Sequence, residues 1–245
     1  MSRGRPRASL HETLRRRLGS ESVLTTPSAK AAYRSDGLAH LHGDAAVVVL
    51  PRSTEDVRAV LRVCRDAGVP WVARGSGTGL SGGAVPVDGG VLIALSRMRR
   101  VVSVNLDDER ITVEPGVTNM DVSRAVSPTH FYPPDPSSQV VCSIGGNVAE
   151  NSGGAHCLKY GFTTHHVLEV EAVMPDGSLV HIGSTLPDPL GPDLLGLVIG
   201  SEGTLAVVTK VTVRILRKPE AVQTLLAAFT SIGAGGQAVS DIIGA

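Results

Sequence analysis

The sequence predicts an α+β fold, and three observations carry that reading. Residues 45–73 read as strand, helix, strand. Residues 91–114 hold three short apolar segments with little room for helices between them. Farther on, Val167–Met174 and Leu179–Ile182 flank Pro175-Asp176-Gly177, a hairpin signature.

The opening unit is the clearest. Ala45–Leu50 is an unbroken apolar run, as a strand covered on both faces requires, and Pro51 stops it. Ser53 is placed to cap a helix whose apolar positions are Val57, Val60, Leu61 and Cys64, and Gly68 closes it. Trp71-Val72-Ala73 is the second strand. Ahead of this unit, residues 9–18 read as a helix: Ser9 and Glu12 form a capping box, Leu10, Leu14 and Leu18 share a face, and Gly19 ends it. Arg15-Arg16-Arg17 reads as a solvated face of that helix.

Val91–Leu95, Val101–Asn105 and Ile111–Glu114 are the three short strands. Residues 205–216 alternate well, with Val211, Val213 and Ile215 set against Thr212 and Arg214, as a strand does. Beyond Pro219, Thr224–Phe229 is expected as a strand. Residues 231–243 are expected as a helix weakened by Gly235 and Gly236. The expected organisation is a helical lead-in over 1–40, a main domain over 41–218, and over 219–245 the start of a further domain too short to bury a core of its own.

Composition narrows the function. The chain has 245 residues, 42% of them hydrophobic, enough to bury a sizeable core. Its formal net charge is zero, which argues against a nucleic-acid partner, because such a partner needs a basic surface to displace counterions. Three cysteines with no Cys-x-x-Cys pair argue against a disulfide framework or a zinc site. Arg3, Arg5 and Arg7 are not followed by the apolar region of a secretory signal, and no stretch has the length of a transmembrane segment. The expectation is therefore a cytoplasmic protein.

The most informative segment is Arg74-Gly75-Ser76-Gly77-Thr78-Gly79-Leu80-Ser81-Gly82-Gly83. Gly77 to Gly82 match Gly-x-Gly-x-x-Gly, but Pro86, Gly89 and Gly90 follow where a Rossmann loop must open a helix. A Walker loop is excluded because no Gly-Lys-Ser/Thr occurs. What remains is a loop whose backbone N–H groups converge on an anion, which suits a diphosphate. A plain flexible turn is the weaker reading, since five glycines fall within nine positions directly after a strand.

Further clusters follow in order. Pro133-Pro134-Asp135-Pro136-Ser137-Ser138 is a rigid polar elbow. Ser143-Ile144-Gly145-Gly146-Asn147 and Asn151-Ser152-Gly153-Gly154 are expected to present backbone N–H groups and amide side chains, with one helical turn over Asn147–Asn151. In Gly200-Ser201-Glu202-Gly203-Thr204, two readings of Glu202 stand: a residue that caps or braces the glycine loops, or a plain turn residue.

Taken together, these motifs resemble the FAD-binding domain of the vanillyl-alcohol oxidase (PCMH-type) flavoprotein family, over roughly residues 30–245. Within it the chain is most similar to the glycolate oxidase and D-lactate dehydrogenase branch. The resemblance implies two α/β subdomains that hold FAD between them, followed by a cap domain for the substrate, of which only the truncated start is expected here. It implies that Gly75, Ser76, Gly77, Thr78, Gly79 and Leu80, flanked by Arg74 and Ser81, hold the FAD pyrophosphate. By the same resemblance Ser143, Gly145, Gly146, Asn147, Asn151, Gly153 and Gly154 line the flavin and its ribityl chain, with Pro134 and Asp135 close by. Glu202, Gly203 and the backbone near Val207 would support the adenine end. Thr78 stands where a histidine would be sought in relatives that attach FAD covalently, so non-covalent FAD is expected.

The implied activity is oxidation of a small 2-hydroxy acid to a 2-keto acid, with other subunits of a glycolate-oxidase-like complex as partners. The resembled family handles its substrate with a His-x-x-Gly-Asp-Gly-Asn motif, often with a metal. This chain has no such motif and no histidine after His181. Catalytic residues are therefore unassigned and no metal site is expected. His156, His165 and His166 read as surface or supporting residues. Two other readings are a non-catalytic FAD-binding subunit or truncated remnant, and a reductase resembling those that act on UDP-sugar cell-wall precursors. Pro-Asp-Pro-Ser-Ser and His-Cys-Leu-Lys-Tyr-Gly favour the hydroxy-acid branch over the latter.

Overall fold

An apolar run without alternation needs cover on both faces, and Val47–Val49 has it: all three valines are fully buried. A computed structural model describes residues 9–38, 40–186 and 191–245. Arg3, Arg5 and Arg7 lie outside the described residues. The first part of the chain runs α1 (Leu10–Leu18), β1 (Val23–Leu24), α2 (Pro27–Lys30), β2 (Val47–Val49), α3 (Thr54–Ala67), β3 (Trp71–Arg74) and β4 (Val91–Ala94). Its sheet has the order β1-β2-β4-β3, with β4 parallel to both β2 and β3. The expected caps are present. Ser9 and Glu12 form the capping box of α1, Ser53 Oγ accepts from Asp56 N–H at the start of α3, and Gly68 closes α3 in the left-handed region.

The second part runs β5 (Val101–Asn105), β6 (Arg110–Val113), α4 (Asn119–Ala125), β7 (His130–Phe131), α5 (Ile144–Glu150), α6 (Cys157–Tyr160), β8 (Val167–Val173), β9 (Leu179–Gly183), α7 (Leu194–Val198), β10 (Val207–Arg214), β11 (Leu216–Arg217) and α8 (Ile232–Gly244). Its main sheet, β5-β6-β10-β8-β9, is antiparallel throughout. The hairpin around Pro175-Asp176-Gly177 is β8–β9, and Gly177 takes φ 83°, as a tight turn needs.

Helix α3 joins the two sheets. Its apolar face, Val57, Val60, Leu61 and Cys64, packs in one core with Val47, Val49, Val91 and Ile93 of the first sheet and with Val173 and Val207 of the second. Polar contacts reinforce that face-to-face packing. Arg58 Nε donates to Gly177 O at 3.1 Å, and Thr54 Oγ1 donates to Glu171 Oε1 at 2.7 Å.

Three expectations need correction. The third short strand begins one residue earlier than expected and ends at Val113, because the buried Glu114 carboxylate turns to accept from Arg100 N–H at 2.8 Å and from its guanidinium at 2.7 Å. The glycine-rich stretch 144–150 is a two-turn helix and not a loop with a single turn. Thr224–Phe229 is not a strand: among the described residues no partner strand lies beside it, and Leu225 and Leu226 stand in solvent. The helix expected over 231–243 is present as α8, with no buried residue on it.

Candidate functional site

The glycine loop leaves the C-terminal end of β3, on the side of a parallel sheet where ligands ordinarily bind. Arg74 anchors it from beneath. Its side chain is buried, donating to Ser35 O at 2.7 Å and Ala84 O at 3.0 Å, and it lies over the Tyr33 ring. Burial pushes the guanidinium pKa down, with Asp36 and Tyr33 opposing that shift. Arg74 is therefore committed to the loop. Gly77 sits above it at φ 71°, where a Cβ would run into the guanidinium.

The loop is fastened in its second half, yet most of its own N–H groups stay unspent. Gly37 N–H donates to Gly79 O at 2.9 Å, and Gly82 N–H donates to Asp36 Oδ2 at 2.8 Å. Among the described residues, none of the backbone N–H groups from Ser76 through Ser81 donates to a protein acceptor. Consecutive free N–H groups on a glycine-rich turn form an anion-binding concavity.

Helix α5 forms the opposite wall. Gly145 and Gly146 are poor helix formers, and the N-cap offsets them: Ser143 Oγ accepts from Gly146 N–H at 3.3 Å. Gly145 N–H donates to Pro115 O, Ile144 N–H to Val117 O and Asn147 N–H to Ser143 O. The backbone donors expected to face a ligand here are thus spent within the protein. Gly145 serves packing, since a Cβ there would press on Pro115. Gly153 is closed in the same way by Phe162 and Cys157, and Gly154 by Asp135.

Between the walls lies a cavity of about 230 Å³, lined by Gly75 to Leu80, Cys142, Ser143, Gly146, Asn147, Glu150, Ser152 and Glu202. A smaller hollow of about 50 Å³ adjoins it, bounded by Arg74, Gly145, Gly203, Ala206 and Val208. Ser81 lines neither hollow and reaches the larger one only through Glu150, its hydroxyl donating to Glu150 Oε2 at 3.1 Å. Pro134, Asn151, Gly153, Gly154 and Val207 line neither hollow. Pro134 accepts from the Asn119 side chain, Asn151 ends α5 in the left-handed region and accepts from Thr164 N–H, and Val207 is core. Asp135 lies on a different cavity, with His156.

Asn147 stands out. It is 1% exposed, and neither its amide nitrogen nor its oxygen has a hydrogen-bond partner. A buried amide left unpaired costs about 1–3 kcal/mol, so one that lines a cavity marks a place for a polar ligand. Sequence reasoning passed over Glu150 and Cys142. Glu150 gave no signal of its own, because only the fold brings α5 against the loop. Its carboxyl is pushed up by burial, then by Glu202 and Asp36. Glu202 holds φ 53° and donates its N–H to Ala149 O at 2.9 Å, a contact with α5, and its carboxylate fills the space beside Gly83.

The FAD binding domain family matches residues 45–183, more than half the chain. The chain belongs to that family. FAD is thus the group to test against the site, and the residues fit it: the unspent N–H groups suit a diphosphate, and the unpaired Asn147 amide suits a ligand with both donors and acceptors. The domain is 47% identical over 238 residues to the glycolate oxidase subunit GlcD of Escherichia coli K12, covering 97% of this chain and 48% of that protein. It is 41% identical to the Bacillus subtilis GlcD over 229 residues, covering 93% of this chain and 49% of the relative, and 36% identical to the D-lactate dehydrogenase of Anaerostipes hadrus over 188 residues, covering 76% and 39%. The chain spans about half the length of the curated relatives it matches.

Among solved structures, alkyldihydroxyacetonephosphate synthase matches 86% of this chain and 41% of its own with a TM-score of 0.77 at 20% identity. p-Cresol methylhydroxylase, with substrate bound, matches 86% and 44% with a TM-score of 0.74 at 19% identity. These likenesses show the fold, the PCMH-type FAD-binding domain. No helix of the described residues is long and apolar enough to cross a membrane, and no cluster of metal-ligating side chains occurs among them.

Proposed function

We propose that this domain holds FAD non-covalently between its two sheets, as the cofactor-binding part of a flavoprotein that oxidises a small 2-hydroxy acid to the 2-keto acid. The observation that carries the reading is the run of unspent N–H groups from Ser76 through Ser81, facing the unpaired Asn147 amide. FAD, when bound, supplies the acceptor for the hydride from the substrate C–H bond.

The residues of this chain bind and orient. In this reading the Ser76–Ser81 backbone holds the diphosphate, and Asn147 pairs with a polar edge of the cofactor. Gly146 and Gly79 leave room for the cofactor to approach the backbone, and Glu202 with Gly203 closes the end beside β3. Non-covalent binding is supported by Thr78, whose hydroxyl is a weak nucleophile at its ordinary pKa, and by the cysteine in the cavity. Burial pushes the Cys142 thiol up, so it remains protonated and unreactive.

Glycolate and D-lactate are the substrates that the relatives' names suggest, and the word subunit in the name GlcD supports partner subunits. A cytoplasmic location fits this reading. The test is the visible spectrum of the purified chain after addition and removal of excess FAD. A retained, protein-perturbed flavin spectrum is expected. A folded chain that retains no flavin overturns the assignment.

A further inference from the structure

Strand β5 ends the second sheet, and its outer edge is bare. Among the described residues it pairs with β6 alone, whereas the strand at the opposite edge, β9, packs against α7. Every residue from Val101 to Asp108 is exposed, and four of them are large and apolar: Val101, Val102, Val104 and Leu106 stand 39% to 48% in solvent. An edge strand offers a row of unspent N–H and C=O groups, and natural proteins blunt such an edge with repelling charge. Here the charge is arranged differently. The segment reads Arg99-Arg100-Val101-Val102-Ser103-Val104-Asn105-Leu106-Asp107-Asp108, basic at one end, acidic at the other and uncharged between. We propose that this edge docks a second copy of this chain, β5 pairing antiparallel with β5 of the copy about a twofold axis at Val104, so that two five-stranded sheets become one.

Charge sets the orientation. A parallel pairing would bring arginines to arginines and aspartates to aspartates. An antiparallel one brings the Arg99-Arg100 end of each copy to the Asp107-Asp108 end of the other, and the twofold makes that contact twice. Charges that would repel most other edges therefore select this one. Arg100 and Asp108 are already held by Glu114 and Arg110, but Arg99 and Asp107 have no ion pair among the described residues.

Side chains set the register. With Val104 opposite itself, Val102 faces Leu106 and Ser103 faces Asn105, so apolar meets apolar and polar meets polar. Moving the axis to Ser103 would set Val101 against Asn105 and Arg100 against Leu106. The backbone agrees with Val104. The bulge in β5 lies between Val101 and Ser103, while Ser103, Val104 and Asn105 keep regular register with Thr112, Ile111 and Arg110 of β6. Val104 shares a sheet face with its partner Ile111, which belongs to the core of the second sheet, so two Val104 side chains meeting at the axis extend that core from one copy into the next.

The experiment is sedimentation velocity on the purified chain, and across about 1–100 μM it is expected to show a monomer–dimer equilibrium. Arg99 and Asp107 are exposed, so Arg99→Glu and Asp107→Arg should leave the melting temperature unchanged. Each variant alone sets like charge against like and is expected to raise the dimer Kd at least about tenfold. Mixed one to one, the two variants are expected to form a heterodimer as tight as the native dimer, because every reversed end again meets its opposite. Val104→Lys, which places a cation opposite itself at the axis, is expected to weaken the dimer as well. A chain that stays monomeric over the whole range overturns the proposal, as does a mixture that fails to restore the dimer. A dimer indifferent to all three substitutions also overturns it, and would place the contact on other exposed apolar residues, such as Ile232 and Ile242 of α8.

Discussion

Ser143 Oγ occupies the place that a side chain on Gly75 would take. One oxygen thereby caps α5, through Gly146 N–H, and sets the distance between that helix and the glycine loop. Gly75→Ala must displace either the cap or the loop. Loss of an N-cap bond costs about 1 kcal/mol, so the variant should fold with a modestly lower melting temperature. Its FAD affinity should fall by at least about tenfold, because the loop is moved from the wall it faces. Flavin retention after gel filtration, read beside thermal unfolding, checks both. Full retention would show that the spacing is not used.

Glu150 poses an electrostatic problem for the proposed diphosphate site. Its carboxyl is already pushed up by burial, by Glu202 and by Asp36, and a bound diphosphate adds like charge nearby. The sign follows directly. Ionising Glu150 opposes the anion, so FAD binding favours the protonated form and takes up protons. Affinity should therefore be greatest at low pH and decline as pH rises through the raised Glu150 range, above the ordinary carboxylate value. In Glu150→Gln the decline should flatten and the affinity near pH 7 should rise. Kd values from flavin fluorescence quenching across about pH 5–8 decide it. An unchanged slope in E150Q would place the titration elsewhere.

These two residues also show what the sequence could and could not disclose. Strand β2 and helix α3 were legible because their signals are local: three consecutive valines, a serine cap and a closing glycine. Helix α5 was legible only as a turn, since Gly145 and Gly146 contradict helix propensity. The Ser143 cap, and the contacts of Gly145 with Pro115, override it through tertiary structure. The glycine loop was recognisable from its composition. That the helix N–H groups are spent while the loop N–H groups are free depends on partners such as Pro115 and Val117, far away in sequence. Glu150 was invisible for the same reason. Thr224–Phe229 failed in the opposite way: its residues suit a strand, but among the described residues no second strand pairs with it.

Glu171 ties helix α3 to the second sheet. It accepts from Thr54 at 2.7 Å, Thr209 at 2.8 Å and Lys210 at 2.7 Å. Burial works to raise its carboxyl pKa, but the donors outweigh burial and hold it below the ordinary value of 4.5. A depressed folded-state pKa contributes stability that is present above the unfolded value and is lost as pH falls through the folded one. Thr54→Val should thus cost about 1.5–3 kcal/mol at neutral pH, as for a hydrogen bond to a charged group. The deficit should shrink in acid, below the ordinary glutamate range, where the native carboxyl is also protonated. Urea unfolding at neutral and acid pH tests this, and a deficit independent of pH would show that Thr54 acts by packing alone.

Asn147 should reveal a conflict between stability and binding. In the free domain its amide is buried and unpaired, so a leucine of similar size removes a desolvated polar group and adds apolar burial. Asn147→Leu should raise the melting temperature of the flavin-free domain, by an amount corresponding to about 1–3 kcal/mol. The same change removes the donor and acceptor that the cofactor is proposed to meet, so FAD should raise the melting temperature of the variant far less than that of the native domain. The two effects have opposite signs, which a general loss of structure cannot produce. Scans with and without excess FAD on both proteins read them together. A variant that is less stable when free, or equally stabilised by FAD, would mean that the Asn147 amide is satisfied by water and serves the fold rather than the ligand.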